Sequence, residues 1–188
     1  MAMEWTREQA VGLLRRHLTS EVLIKHCIAT EAVMRALAAR FGEDAEKWGI
    51  AGLLHDLDFE QTKDTPGEHA TKTAQILAAE GVPGDIIQAI KEHNADALGI
   101  PCESRMGIAL TAAETVTGLI VAAALVLPDK KLAGVKASSV RKRMKEKAFA
   151  RNVSRERITV CETIGVPLDE FLALSVEAMQ GVAGELGL

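Results

Sequence analysis

From Gly107 to Leu127 the chain runs 21 residues with a single charged side chain, Glu114. A stretch of that length is enough to cross a bilayer as a helix. It is equally what the central helix of a bundle looks like when other helices cover it all round. Thr111, Thr115, Thr117 and two glycines argue for the second form, as does the carboxylate near the middle, which costs about 2.5 to 3.5 kcal/mol on membrane-insertion scales. The segment predicts a buried helix around which the remainder assembles, with no membrane partner.

The rest of the chain offers helices for that purpose. No alternating strand pattern and no internal repeat competes. Aromatic residues make up only 3% and Tyr is absent, so the core is filled by Ala, Leu, Ile, Val and Met, which suits closely packed helices. With 188 residues, 48% of them apolar, one ordinary core is expected, giving an all-α, single-domain bundle over residues 1–188.

Start and stop signals divide the chain. Thr6 with Gln9 reads as a capping box opening a helix to about Leu18, and Ser20 as the N-cap of a second that Gly42 ends. A third helix is expected from about Asp44 to Leu57. Thr65-Pro66-Gly67-Glu68 reads as N-cap, helical Pro and third-position Glu, opening a helix that Gly81 stops. Further helices are expected over Pro83–His93, Glu103–Leu127, Ser138–Ala150, Ser154–Ile164 and Pro167–Leu186.

Three cysteines, Cys27, Cys102 and Cys161, are odd in number and form no C-x-x-C pair, which speaks against a disulfide framework or zinc finger. The N-terminal MAMEWTREQA is charged and lacks the apolar core of a secretory signal, so a reducing, cytoplasmic setting is expected. Charge is concentrated: residues 129–157 hold eleven Lys or Arg against three acids, +8 in a chain of formal charge −4, leaving −12 elsewhere. A solvated helix face is the ordinary reading of such a run. Nucleic acid is not expected as a partner, because Phe149 is the segment's one stacking platform and the whole chain is acidic.

Four of the five histidines, His26, His55, His69 and His93, fall within one 68-residue stretch, and His55-Asp56 closes the apolar helical run Trp48–Leu54. His26 and His93 have apolar neighbours at helical offsets, so both face inward. His17 stands beside Arg15 and Arg16 at a helix end and reads as a surface residue. One inward imidazole is ordinarily a core residue bonded to a carbonyl. Several of them, with an aspartate and the lone buried acid Glu114, are what a borderline divalent cation takes as ligands.

The ordered set His26, His55-Asp56 and Glu114, with its context IKHCIATEAVMRALA, GLLHDLDFE, His69-Ala70-Thr71, IKEHN and TGLIVAAALVLPDKKL, resembles the HD-domain superfamily of metal-dependent phosphohydrolases. It is similar to the small bacterial members of the HDIG type, from about Glu21 to Leu186, although Leu57-Asp58 replaces the Ile-Gly of that label. The resemblance implies one HD-type domain, with a metal core at about 20–127, a basic segment at 129–157 and C-terminal helices at 154–186. It implies that His26, His55 and Asp56 bind a first metal, with Glu114 where an Asp is usual, and that His69 and His93 bind a second ion bridged by Asp56. The expected activity is hydrolysis of a phosphoester, of a nucleotide or another small phosphorylated metabolite, by a metal-activated water. The alternative is a ligand-binding or signalling module whose metal centre Glu114 has weakened.

Other residues near the pair take expected roles from their chemistry. Asp58 and Glu60 are candidate general base or acid, and Lys63 is a candidate phosphate contact, as is the helix start expected at Pro66. An imidazole-rich ligand set favours Fe or Mn, with Zn, Co, Ni or Mg as further options.

Overall fold

A computed structural model describes residues 5–188; residues 1–4, the first part of the charged N-terminal stretch, lie outside it. Among the described residues there are helices and no strands. They are α1 (Arg7–His17), α2 (Glu21–Phe41), α3 (Ala45–Leu54), α4 (Phe59–Thr62), α5 (Thr71–Ala79), α6 (Gly84–His93), α7 (Ala95–Leu98), α8 (Arg105–Leu125), α9 (Ala137–Met144), α10 (Arg155–Thr159), α11 (Leu168–Gly181) and α12 (Ala183–Leu186), with two short 3₁₀ segments at Leu132–Gly134 and Val160–Ile164.

The apolar segment forms the central helix α8, which packs against α2, α3, α6, α9, α10 and α11. It is long and apolar enough to cross a membrane, yet most of that stretch is covered by its own neighbours. Its start is set by Ser104, whose hydroxyl accepts the Gly107 N–H at 2.9 Å.

The caps expected at the N-terminal helices are present. Thr6 and Gln9 exchange both bonds of the capping box, Ser20 caps α2, and Gly42 ends α2 in the left-handed region at φ 69°. Asp44 opens α3 by accepting the N–H groups of Glu46 and Lys47. Helix α3 then lies almost in backbone contact with α2. A Cβ at Gly52 would stand 3.0 Å from the Cα and N of Glu31, so only glycine allows this approach without displacing one helix.

The structure corrects several boundaries. The third helix stops at Leu54 rather than Leu57, and residues 55–58 form turns. No helix starts at Thr65 or Pro66: residues 66–70 are turns and α5 begins at Thr71, after Ala70 at φ 68°. The Thr65 hydroxyl points back to the Thr62 carbonyl, and Asn94 Nδ2 donates to the carbonyls of Pro66 (2.8 Å) and His69 (3.0 Å). Those carbonyls are held by another element instead of entering a helix, so the anion-attracting helix start expected at Pro66 does not exist. The three C-terminal helices break into shorter pieces at Met144, Thr159 and Gly181. The cysteines are free, with Cys27 and Cys161 buried.

Basic residues of 129–157 are not all a solvated face. Arg155 turns inward and its guanidinium donates to the carbonyls of Arg143, Glu146, Phe149, Ala150 and Val153, tying together the irregular stretch between α9 and α10. Arg143 lies over the Phe149 ring at 4.3 Å, so that ring is covered rather than free to stack. Arg157 also points inward, toward α8.

Candidate metal centre

Four elements deliver the histidines to one place. His26 lies in α2, His55-Asp56 in the turn that ends α3, His69 in the turn before α5, and His93 at the last position of α6. Their Nε2 atoms surround the Asp56 carboxylate. Oδ2 stands 3.7 Å from His26, while Oδ1 stands 3.4 Å from His55, 3.3 Å from His69 and 3.8 Å from His93. Donor atoms of His26, His55 and Asp56 lie within 4.8 Å of one another, and so do those of Asp56, His69 and His93. Asp56 belongs to both groups.

Each ring is held from behind through Nδ1. His55 Nδ1 meets the Gly52 carbonyl at 2.8 Å, His93 Nδ1 meets the Ile90 carbonyl, and His69 Nδ1 meets Asp58 Oδ1 at 2.7 Å. His26 Nδ1 lies 3.1 Å from the Thr117 hydroxyl, which itself donates to the Glu114 carbonyl at 2.7 Å. A carbonyl can only accept, so His55 and His93 each carry a proton on Nδ1 and turn Nε2 inward. His55 Nε2 is buried without any hydrogen-bond partner. An orphaned buried polar atom costs about 1–3 kcal/mol, and a cation relieves it. Imidazole nitrogens around a shared carboxylate, each fixed by an outer acceptor, fit a divalent metal.

The electrostatics agree with that arrangement. Burial opposes charge on Asp56, yet the imidazoles of His55, His69, His26 and His93 hold its carboxyl far below the usual range. Burial also opposes charge on His69, but Asp56 and Asp58 push it up to about 9. His93 goes the other way: burial and the neighbouring His55 lower it to about 4. His69 therefore carries the proton that lets its Nε2 approach His93 Nε2 to 3.0 Å.

The remaining candidates are placed differently from expectation. Asp58 is fully buried, with Oδ1 on His69 and Oδ2 accepting the Thr73 N–H at 2.9 Å, so both oxygens are engaged and one of them holds a histidine. Of the two residues by which the chain departs from His-Asp-Ile-Gly, Leu57 is buried in the core and Asp58 contacts His69. Glu60 accepts the N–H groups of Thr19 (3.0 Å) and Ser20 (2.7 Å) ahead of α2 and belongs to neither ligand group. Lys63 is exposed on the turn after α4. Glu114 belongs to neither ligand group: its Oε1 accepts from Arg157 Nη2 at 2.8 Å and from the Thr115 hydroxyl at 2.7 Å. Its carboxyl, which burial alone would raise, is lowered by His26 and Arg157. The cation that answers this half-buried acid is therefore an arginine 43 positions along the chain.

Thr117, Thr73, Asn94 and Arg157 also shape the site and escaped the sequence reading. Only Thr117 had a local signal, being one turn after Glu114 on the same helix. We expect Asp58→Asn to weaken metal binding at the His69–His93 group by about 10- to 100-fold, the usual effect of removing a ligand's outer partner. Mn2+ titration followed by electron paramagnetic resonance reads this directly, and unaltered affinity would show that Asp58 does not support His69.

With this geometry in place, comparison with known proteins gives the family. Residues 23–126, more than half the chain, match the HD domain, and the chain belongs to the HD-domain family. Ribonuclease Y of Nitratidesulfovibrio vulgaris is 32% identical over 109 residues, covering 57% of this chain and 20% of that protein. Ribonuclease Y of Oleidesulfovibrio alaskensis is 30% identical over 99 residues, 53% of this chain and 18% of that protein. Ribonuclease Y of Syntrophobacter fumaroxidans is 26% identical over 167 residues, 87% of this chain and 32% of that protein. The chain spans between about a fifth and a third of the length of these relatives. No solved structure matches it significantly.

Proposed function

We propose that this chain hydrolyses a phosphoester with the help of one or two divalent ions held by His26, His55, Asp56, His69 and His93. The observation that carries the reading is the common orientation of the four rings, Nδ1 tied outward and Nε2 turned on Asp56, with His55 Nε2 lacking any other partner. A divalent ion bound there supplies an acidified water and offsets negative charge on phosphoryl oxygens. The protein's own part is to fix the rings through Gly52, Ile90, Asp58 and Thr117, and to keep Asp56 ionised.

Phosphodiesters of the nucleotide type are the first substrates to test, because the curated relatives are named ribonucleases. The expectation that nucleic acid is not a partner loses its support for the same reason. The ligand set favours Fe or Mn over Mg, which prefers oxygen donors. A second reading, a binding module with a weakened centre, draws on Glu114 standing outside both ligand groups.

Two measurements separate the readings. Elemental analysis of protein purified without added metal should find Fe, Mn or Zn, and bis-p-nitrophenyl phosphate with dinucleotides should be turned over in Mn2+. Protein that takes up no ion and turns over nothing leaves the module reading standing. Metal uptake also carries a pH signature. Metal-free His69 is protonated below about 9, and it must be neutral to bind through Nε2. At pH 7.5, loading the second group should release about one proton, and affinity should rise with pH until about 9. Calorimetry in buffers of differing ionisation enthalpy measures the release, and the absence of any proton would exclude His69 as a ligand.

A further inference from the structure

We propose that Arg157 binds a phosphoryl group of the substrate at this centre, an assignment that rests on the phosphohydrolase reading above. Arg157 is the last cation of the basic segment, and it leaves the surface to meet α8. Its Nη2 donates to Glu114 Oε1 at 2.8 Å and to the His93 carbonyl at 2.7 Å, and Nε lies 3.4 Å from the Thr115 hydroxyl. These contacts fix one side of the guanidinium. Nη1 takes no protein partner among the described residues, and the side chain is 29% exposed.

The position of Arg157 between two cavities carries the argument. One cavity, of about 250 Å3, is lined by His26, Glu114, Asn152, Ser154 and Arg157. Another, of about 360 Å3, is lined by His93, Cys102, Thr111, Glu156 and Arg157. Arg157 is the one residue common to both linings. The first cavity reaches a histidine of the His26–His55–Asp56 group, and the second reaches one of the Asp56–His69–His93 group. A guanidinium at the partition therefore faces whatever is bound against either group.

Its chemistry suits an anion with several oxygens. Arginine stays charged, presents donors in a rigid fork and matches phosphate geometry better than lysine does. No other Lys or Arg lines the cavity that His26 shares with Glu114, while Lys25 lines a separate cavity that also reaches His26. Glu114 holds the fork in place and also discounts its charge, so the contact contributes selectivity for a phosphoryl group rather than very tight binding.

Inorganic phosphate, titrated calorimetrically into the Zn2+-loaded protein, is the probe. Arg157→Gln should hold as much Zn2+ as the original chain while its phosphate affinity falls tenfold or more, and Arg157→Lys should recover only part of the loss. Phosphate affinity unchanged in Arg157→Gln at full Zn2+ content would overturn the proposal. Should the Gln variant fail to fold, the Arg157 Nε resonance of the unsubstituted protein, assigned by its absence from Arg157→Lys, must shift when phosphate saturates; a stationary resonance is equally fatal. Protein that takes up no Zn2+ contradicts the function proposed above instead. The same resonance is then followed in metal-free protein, where its shift or constancy decides the matter for Arg157.

Discussion

Asp56→Ala is expected to empty both ligand groups in a single step and to reduce phosphoester hydrolysis by about 10³-fold or more. The magnitude follows from the several kcal/mol a bound ion contributes to transition-state charge stabilisation, at 1.36 kcal/mol per factor of ten. Asp56 is singled out because its carboxylate faces all four imidazoles, with Oδ2 toward His26 and Oδ1 toward the other three. His93→Ala, by contrast, touches only one of the two groups and should leave about half the bound metal. Mass-spectrometric metal analysis of both variants, beside their rates on bis-p-nitrophenyl phosphate, makes the comparison. Undiminished metal in the Asp56 variant would refute the shared-ligand arrangement.

The largest effect on stability is expected from Arg155→Ala. The Arg155 guanidinium donates to carbonyls of five residues between Arg143 and Val153, and this is the main polar anchor of that irregular stretch. Bonds to a charged donor contribute about 1.5–3 kcal/mol each, and acceptors left buried without a partner add to the loss. We expect about 3 kcal/mol or more, which lowers Tm by roughly 6–12 °C in a domain of this size. Chemical denaturation and calorimetry of metal-free protein test this without interference from ion binding. Arg155→Lys should restore a part, since an ammonium has three donors for five acceptors. A variant as stable as the original would mean that the stretch is held by its apolar contacts alone.

Local signals in the chain were sufficient where the deciding bonds are themselves local. Thr6, Ser20, Asp44 and Gly42 act within three or four residues of the N–H and C=O groups they satisfy, and their helices begin or end where the sequence predicts. Thr65-Pro66-Gly67-Glu68 has an equally good local pattern and fails, because Asn94 takes the Pro66 and His69 carbonyls from 25 or more positions away. Periodicity brought His26 and His93 to the inner faces of their helices, and an aspartate next to His55 completed a recognisable set. It could not say which ring nitrogen faces inward, since that depends on the backbone carbonyls of Gly52 and Ile90 and on Thr117. Asp58 and Glu60, two acids with one residue between them, both read as candidates for acid or base in sequence, Asp58 being the nearer to the His-Asp pair. The turn after α3 sends one toward His69 and Thr73 and the other toward the start of α2. Glu114 read as an acid in want of a metal because Arg157 belongs to a different element, reached only through the tertiary fold.

The close approach of α2 and α3 at Gly52 has a consequence for the metal centre. His26 rides on one of these helices and His55-Asp56 ends the other, so the gap between the two halves of the first ligand group is gauged by how nearly two backbones can touch. A methyl group at position 52 would act as a shim, prising the halves apart by tenths of an ångström. Coordination bond lengths distinguish one divalent ion from another on that same scale. The spacing of the first ligand group is thus set in part by a residue with no side chain.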